Sequence, residues 1–286
     1  MEIQKVYKKG DKPINEDCIV VNERAKVFAA IDGATGLAGV PGYLASRTLQ
    51  EELEKMKVTD CLYEYMKQAN KRLGLNMVNY YEEKIGLLDN KSIEEIPSKL
   101  RSTSGIAAVK IEANGKGLNY VHAGDCMLFL KYKNGETQKF TYDGVSYFEN
   151  EAIEAMIELR EKNPSISLKE IGNQIRPILL ANRDKLNTPD GYGIFDGSGQ
   201  ALNYISYGRI SLQQVQKILL VSDGLLLPSK GNERDEWLQT AELAFRQGLN
   251  SLLEEVESRE EQDEECRVYP RIKTRDDKTG ILIELS

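Results

Sequence analysis

The sequence contains very little histidine and no paired cysteines. A single histidine, His122, stands among 286 residues, so a histidine-rich metal site and any mechanism that needs a second histidine are excluded. The four cysteines are scattered without a CxxC pair, which indicates reduced thiols rather than a disulfide framework or a zinc site. If the chain is an enzyme, its chemistry therefore rests on carboxylates.

Long apolar runs and an excess of positive charge are also missing. The apolar runs are far shorter than the roughly 20 residues that cross a bilayer, and no N-terminal segment has the pattern of a signal peptide. The 38 basic and 45 acidic residues give a net charge of −7, which repels a phosphate backbone. We therefore expect a soluble, cytoplasmic monomer that binds neither membranes nor nucleic acid.

The order of secondary-structure patterns predicts an α+β fold. Strand patterns open the chain and include the almost continuously apolar KVFAAI of residues 26–31, which is typical of a strand covered on both faces. Two helical stripes follow after residue 43, strand patterns return from residue 103, and a helical pattern covers 236–257 before a last strand, TGILIEL. This grouping favours antiparallel sheets with helices packed outside them.

Residues 144–206 interrupt this pattern. They hold two helical pieces and a loop, NTPDGYGIFDGSGQ, that is rich in turn formers, before strands resume at LNYISYG. We interpret the segment as a flap inserted into a single domain that spans residues 1–286. Loops on a rigid scaffold often carry specificity, so Tyr192 and Phe195 are candidates to face a substrate, although exposed turn aromatics fit the pattern equally well.

Acidic residues stand at the ends of several apolar strands. Carboxylates in such positions are costly to bury unless positive charge neutralises them. Three of them directly follow apolar runs and two pairs directly precede strands: Asp32 after KVFAAI, Asp125 after LNYVHAG, Asp223 after KILLVS, Glu16-Asp17 before CIVV, and Asp276-Asp277 before KTGILIEL.

If these strand ends meet, they form a cluster of carboxylates that contains no histidine or cysteine. Such oxygen ligands suit Mg²⁺ or Mn²⁺, and two such ions roughly 4 Å apart can activate a water and hold a phosphoryl oxygen. The other interpretation is a set of five unrelated turn or capping acids. The spacing of the residues leaves both interpretations open.

Six short motifs occur in the same order as in a known family. The segments NED, FAAIDGATG, TSGIAAV, VHAGDCMLFL, ILLVSDGL and RDDKTGILI resemble the PPM-type (type 2C) metal-dependent serine/threonine protein phosphatases, in particular bacterial members. The resemblance implies a four-layer α-β-β-α sandwich, with two antiparallel sheets between helices. It also implies a dinuclear Mg²⁺ or Mn²⁺ centre that hydrolyses phosphoserine and phosphothreonine in phosphorylated proteins, in signalling that opposes a serine/threonine kinase.

The resemblance assigns ligands to a first metal ion. Asp32 matches the aspartate that bridges the two metals and is a catalytic candidate for that reason. Gly33 matches the residue whose backbone carbonyl is a ligand. Asp223, also a catalytic candidate, and Asp276 match the remaining direct ligands of the first ion.

Further acids are assigned to the other ions by the same resemblance. Glu16 matches the acid on the second metal, and Asp17 beside it matches a residue that acts through water. Asp125 matches the aspartate that helps to hold a third, weaker ion in bacterial members.

Two departures from the family pattern affect the chemistry. Lys12, the third catalytic candidate, stands where many members carry a phosphate-binding arginine, and it keeps the charge but lacks the planar fork. Ala34 replaces a histidine that is proposed as the general acid in some members. These departures leave an alternative open: a weak or inactive phosphatase-like module that binds a phosphoprotein or a regulatory partner without turnover.

Overall fold

The computed structural model describes residues 1–37, 39–230 and 235–285. The strands within these residues are, in chain order, β1 (Glu2–Lys8), β2 (Cys18–Asn22), β3 (Val27–Ala34), β4 (Thr103–Ile111), β5 (Gly117–Ala123), β6 (Met127–Tyr132), β7 (Thr137–Lys139), β8 (Ser206–Ser211), β9 (Val215–Val221) and β10 (Lys278–Glu284). The α-helices within them are α1 (Tyr43–Glu54), α2 (Leu62–Lys84), α3 (Ser146–Lys162), α4 (Leu168–Arg183), α5 (Glu236–Gln247) and α6 (Leu249–Gln262).

The strands form two five-stranded sheets in which neighbouring strands run antiparallel. Sheet I has the order β1-β10-β9-β6-β7, and sheet II has the order β2-β3-β4-β5-β8. Antiparallel pairing places the end of β3 beside the start of β2, the end of β5 beside the start of β4, and the end of β9 beside the starts of β6 and β10. The strand ends that carry acids in the sequence therefore lie at one edge of the two sheets, which we call the acidic edge.

An apolar core fills the space between the two sheets. On β3, Phe28 and Ala30 face sheet I, whereas Ala29 and Ile31 belong to the core on the helical side. Side chains alternate across a strand, so both faces of β3 are buried, which explains its continuous apolar run. Asp32 continues the face of Phe28 and Ala30 and therefore lies on the side that faces sheet I.

Helices cover the outer face of each sheet. Helices α1 and α2 pack on sheet II through residues such as Leu49 and Leu73, and α5 and α6 pack on sheet I through Trp237 and Leu252. The layers follow the order α-β-β-α, and the predicted α+β sandwich is confirmed. Within the described ranges, every helix is too short or too polar to pass through a bilayer.

The two helices predicted in the flap form a hairpin with a small core of its own. Met156 on α3 packs with Ile171 and Ile175 on α4, and Ser167 and Glu170 form a capping box at the start of α4. The loop after α4 returns to sheet II, where the backbone of Phe195 pairs with Ser104.

Neither interpretation of the aromatic residues in this loop, that they face a substrate or that they lie exposed in a turn, fits Phe195. Phe195 is fully buried in the core under sheet II, so the idea that it faces a substrate is wrong. The ring of Tyr192 packs against Phe148 of α3, with 5.2 Å between the ring centroids. Phe195 therefore holds the loop to the sandwich, whereas Tyr192 packs within the flap.

Two local expectations differ from the structure. The predicted strand LNYISYG begins only at Ser206, because residues 200–203 form a 3₁₀ turn. The helical pattern of 236–257 is divided into α5 and α6 by Gly248, whose φ of 89° and ψ of 168° no helix can contain. Residues on both sides of this break keep the same apolar period, so periodicity could not reveal it.

Gly248→Ala should lower the free energy of unfolding by about 1–3 kcal/mol, because its backbone conformation is almost exclusive to glycine. An added Cβ would also lie 2.8 Å from Oε1 of Gln4, which accepts a hydrogen bond from the first residue of α6. Urea unfolding of the metal-free protein measures the change.

Gly172→Ala is the matched control for this prediction. Gly172 lies in the exposed interior of α4, where an added Cβ meets no atom within 4 Å. Alanine there should stabilise the chain by up to about 1 kcal/mol. Equal effects of the two substitutions would contradict the role given to Gly248.

Candidate metal centre

Three of the predicted acids converge at the acidic edge. Asp32 ends the apolar part of β3 in sheet II, Asp223 follows β9 in sheet I, and Asp125 lies in the turn by which the chain crosses from β5 to β6. One carboxylate oxygen from each lies within 4.8 Å of the others. Both sheets thus contribute to one cluster, and residues almost 200 positions apart in the chain become neighbours.

Asp17 and Asp276 belong to the same group of charges. Asp17 is buried and accepts a hydrogen bond from the hydroxyl of Ser222 at 2.8 Å. Burial raises its pKa well above the usual value, and the negative charges of Asp276 and Asp223 raise it further. Five acids from five separate segments therefore influence one another at this edge.

The surroundings of each carboxylate in the cluster disfavour its ionised form. Burial, and then the neighbouring carboxylates, raises the pKa values of Asp32, Asp125 and Asp223 well above the ordinary range. Oδ1 of Asp223 is buried and has no hydrogen-bond partner among the described residues. An orphaned acceptor within a set of oxygen ligands fits a hard divalent cation such as Mg²⁺ or Mn²⁺.

Glu16 lies on another side of the edge, where the chain already supplies donors to its carboxylate. The hydroxyl of Thr35, the ammonium of Lys12 and the backbone N–H of Gly42, at 2.8 Å, all donate to it. A Cβ on Gly33 would lie 2.3 Å from the carbonyl oxygen of Glu16. Glycine at 33 thus permits the close approach that brings Glu16 beside β3.

Asp277 has a structural function that the sequence did not reveal. Its buried carboxylate accepts hydrogen bonds from the backbone N–H groups of Gly10 and Glu16, each at 2.8 Å. These bonds attach the start of β10 to the loop that carries Lys12 and Glu16. Adjacent acids before a strand point to opposite sides, which was the available signal that Asp276 and Asp277 have different functions.

The sequence also did not reveal Lys273 as a residue of the candidate site. Its ammonium pairs with the carboxylate of Asp276, and its positive charge opposes the upward pKa shifts of Asp32, Asp125 and Asp223. Partial burial acts to lower the pKa of Lys273, but the negative charges of Asp276, Asp223 and Asp32 outweigh it and raise that pKa well above its usual value. A lysine in an irregular loop carries no pattern that would single it out in a sequence.

Arg183 at the end of α4 attaches the flap to the glycine-rich loop after β3. Its guanidinium donates to the carbonyl of Thr35 at 2.8 Å and, at 3.3–3.4 Å, to the hydroxyl of Thr103 and the carbonyl of Arg101. Burial lowers its pKa, while the negative charges of Glu16 and Asp32 oppose that shift.

His122 does not supply a proton donor at neutral pH. It lies buried on β5, and burial lowers its pKa to about 4, so the imidazole is neutral. Its position inside a strand supports a structural function.

A cavity of about 510 Å³ opens onto the cluster. Its wall combines acids of the centre with residues of the flap and of α5, among them Asp125, Asp223, Asp276, Lys273, Glu149 and Trp237. A substrate group can therefore reach Asp223 and Asp276 from the side where α3 borders the sandwich.

Comparison with known proteins identifies the architecture. No family model and no curated protein matches the chain, but solved structures match along its whole length. The serine/threonine phosphatase PstP/Ppp of Mycobacterium tuberculosis is 17% identical, with a TM-score of 0.56 over 100% of this chain and 98% of that chain. The chain has the fold of the PPM-type serine/threonine phosphatases.

Two further structures share the PPM fold and contain informative ligands. The catalytic domain of PstP in complex with two manganese ions is 16% identical, with a TM-score of 0.55 over 99% of this chain and 97% of that chain. The PPM phosphatase MsPP of Mycobacterium smegmatis, in complex with cacodylate, is 16% identical, with a TM-score of 0.53 over 100% of this chain and 99% of that one. At these identities the likeness is one of fold.

In EDTA, Asp32→Asn and Asp223→Asn should leave the thermal midpoint unchanged or raise it. Each carboxylate has a raised pKa, so ionisation at neutral pH destabilises the folded metal-free protein, and a neutral amide removes this repulsion. Calorimetric melts at pH 7 measure the effect.

Asp277→Asn is the matched control at the same edge. The amide keeps only one acceptor oxygen for two backbone N–H groups, so this variant should lose about 1–3 kcal/mol of stability. If Asp32→Asn and Asp223→Asn were destabilised as much as Asp277→Asn, the three acids would all be structural and the metal centre would be refuted.

Proposed function

We propose that this chain is a metal-dependent phosphoprotein phosphatase that hydrolyses phosphoserine and phosphothreonine at a dinuclear Mg²⁺ or Mn²⁺ centre. The observation that carries the proposal is the convergence of Asp32, Asp125 and Asp223, whose pKa values are raised and whose set includes an orphaned buried oxygen. The PPM fold and the manganese ions of PstP support it.

The residues available to hold the ions are those that lie around Asp32. Asp32, Asp223, Asp276 and the carbonyl of Gly33 would hold the first ion, and Glu16 would join Asp32 on the second. Two divalent ions supply an activated water and stabilise charge on a phosphoryl oxygen. Asp17, held by Ser222, would act through water, and Asp125 would hold a third, weaker ion.

Lys12 is the residue that we assign to the substrate phosphate on the Glu16 side. Its side chain is 41% exposed and its ammonium pairs with Glu16, so it can turn from Glu16 toward a phosphate in solvent. A lysine binds phosphate as a point charge, without the two-pronged contact of arginine.

The flap of residues 144–206 is the segment that we assign to substrate choice. Helix α3 contributes Glu149 to the cavity wall, and Arg183 attaches α4 to the loop after β3. A phosphorylated protein would therefore contact the flap as its phosphate enters. We further propose that the chain is a single-domain, monomeric, cytoplasmic protein. It would act in signalling and oppose a serine/threonine kinase.

One observation favours a second candidate, a module that binds a phosphoprotein or a regulatory partner with little or no turnover. The ammonium of Lys273 partly neutralises the acids of the centre without a metal ion. A site that is stabilised in this way can fold and bind a partner without catalysing hydrolysis.

Phosphate release from a phosphothreonine peptide should require Mn²⁺ or Mg²⁺ and stop in excess EDTA, because carboxylates are the groups that meet at the cavity. Asp32→Asn and Asp223→Asn should lower kcat by roughly 10⁴-fold. Phosphate release is followed with the peptide and with p-nitrophenyl phosphate.

Two results would contradict the proposed phosphatase activity. Hydrolysis that persists in EDTA would exclude the metal-dependent mechanism. Tight binding of the phosphopeptide without release of phosphate, at saturating Mn²⁺, would favour the second candidate.

Lys12→Ala should lower kcat/KM for the peptide by roughly 10- to 100-fold, because a charged hydrogen bond to phosphate is worth about 1.5–3 kcal/mol. Lys12→Arg should retain activity or increase it, because the guanidinium can contact two phosphate oxygens at once. The exposed Lys5 gives the matched control, since Lys5→Ala should behave as wild type. A wild-type rate for Lys12→Ala would show that this lysine does not bind phosphate.

A further inference from the structure

Lys273 brings a positive charge to the acids of the centre before any metal ion does. The residue lies between α6 and β10, and its ammonium pairs with Asp276. Its charge also acts on Asp32 and Asp223, which belong to different sheets. A single flexible side chain therefore serves as counter-ion to several carboxylates.

The backbone that carries Lys273 is fixed by its neighbour Arg271. The guanidinium of Arg271 donates to the carboxylate of Asp263 at 3.1 Å and to the carbonyl oxygens of Tyr269, at 2.9 Å, and Thr274, at 3.2 Å. Arg271 is thus fully engaged in the loop. The side chain of Lys273, by contrast, is 43% exposed and can leave Asp276 without unfolding the loop.

One ammonium group cannot neutralise the whole set. Oδ1 of Asp223 remains without a hydrogen-bond partner among the described residues, even with Lys273 nearby. A divalent ion carries twice the charge of the ammonium and takes several oxygen ligands at once. Because the ion and the lysine neutralise the same oxygens, binding of the ion weakens the attraction between Lys273 and Asp276.

A phosphate group in the cavity could bind the ammonium of Lys273 once that ammonium has left Asp276. Lys273 lines the cavity together with Asp223 and Asp276, so a phosphate that reaches these acids passes directly beside it. Lys12 pairs with Glu16 and does not belong to the described cavity wall. The two lysines therefore approach the centre from different sides.

We propose that Lys273 is the counter-ion of the metal-free centre, that a divalent metal displaces it from Asp276, and that its ammonium then binds the phosphate of the substrate. This inference rests on the proposed function, which supplies both the metal and the phosphate. No bond is formed or broken by Lys273, which acts through charge and hydrogen bonding alone.

The first test measures Mn²⁺ affinity of the full chain by calorimetry. Lys273→Met removes the competing cation, so it should bind Mn²⁺ roughly 3-fold more tightly or better, as expected for loss of a partly exposed ion pair. Lys217→Met is the matched control, because Lys217 pairs with Glu284 away from the acidic edge and should leave Mn²⁺ affinity unchanged.

The second test measures binding of inorganic phosphate at saturating Mn²⁺. Lys273→Met should raise the Kd for phosphate by roughly 10- to 100-fold, since it removes a charged donor. Lys273→Arg, which keeps the positive charge, should restore phosphate affinity. Lys273→Gln replaces the methionine variant in both tests if circular dichroism shows that the latter does not fold.

Each possible failure has a distinct meaning. Equal Mn²⁺ affinity in wild type and Lys273→Met would overturn the competition, as would the absence of Mn²⁺ binding in both. Mn²⁺ binding by the variant alone would show that the lysine is never displaced. If Lys273→Met left the phosphate affinity unchanged, Lys273 would not be the group that binds the phosphate. If instead Mn²⁺ and phosphate bind as expected but no protein releases phosphate from a phosphopeptide, the inference stands and the proposed phosphatase activity fails.

Discussion

Repulsion among carboxylates at one edge of the sandwich is the constraint on which the rest of the structure depends. Asp17, Asp32, Asp125 and Asp223 have raised pKa values because burial, nearly complete for Asp17 and partial for the other three, disfavours their charge, and because they lie near one another. Three apolar cores, one between the sheets and one under each helical layer, hold the strand ends in place against this repulsion. A divalent cation would relieve the same unfavourable charge, and the oxygen ligands at the acidic edge suit such an ion.

The positive charges around the edge have different partners and therefore different consequences. Lys12 pairs with Glu16, whereas Arg183 donates mostly to backbone carbonyls and attaches the flap to the sandwich. Lys273 pairs with Asp276, within the acids themselves. Occupation of the centre by a metal ion would therefore change the environment of Lys273 most directly, and this would couple metal binding to the wall of the cavity.

Interpretation of single segments failed where long-range packing overrides local chemistry. The loop NTPDGYGIFDGSGQ has the composition of an exposed turn, yet Phe195 pairs with β4 and is buried in the core. The acidic stretch at the end of α6 has the composition of a solvated helix face, yet Glu260 is buried and pairs with Lys278 at 2.9 Å. In both cases the partner lies far enough along the chain that no local period could identify it.

Sequence periodicity and turn chemistry alone predicted the type and order of almost every strand and helix, and hence antiparallel sheets with helices outside them, because side-chain alternation and apolar stripes are local properties. The four-layer order came from the family resemblance. They also placed Asp32, Asp125 and Asp223 at strand ends. Only the folded chain established that these ends meet, that Asp277 ties β10 to the loop of Glu16, and that Lys273 lies among the acids. Such contacts join residues up to 267 positions apart, and they depend on sheet order and register rather than on any pattern within one segment.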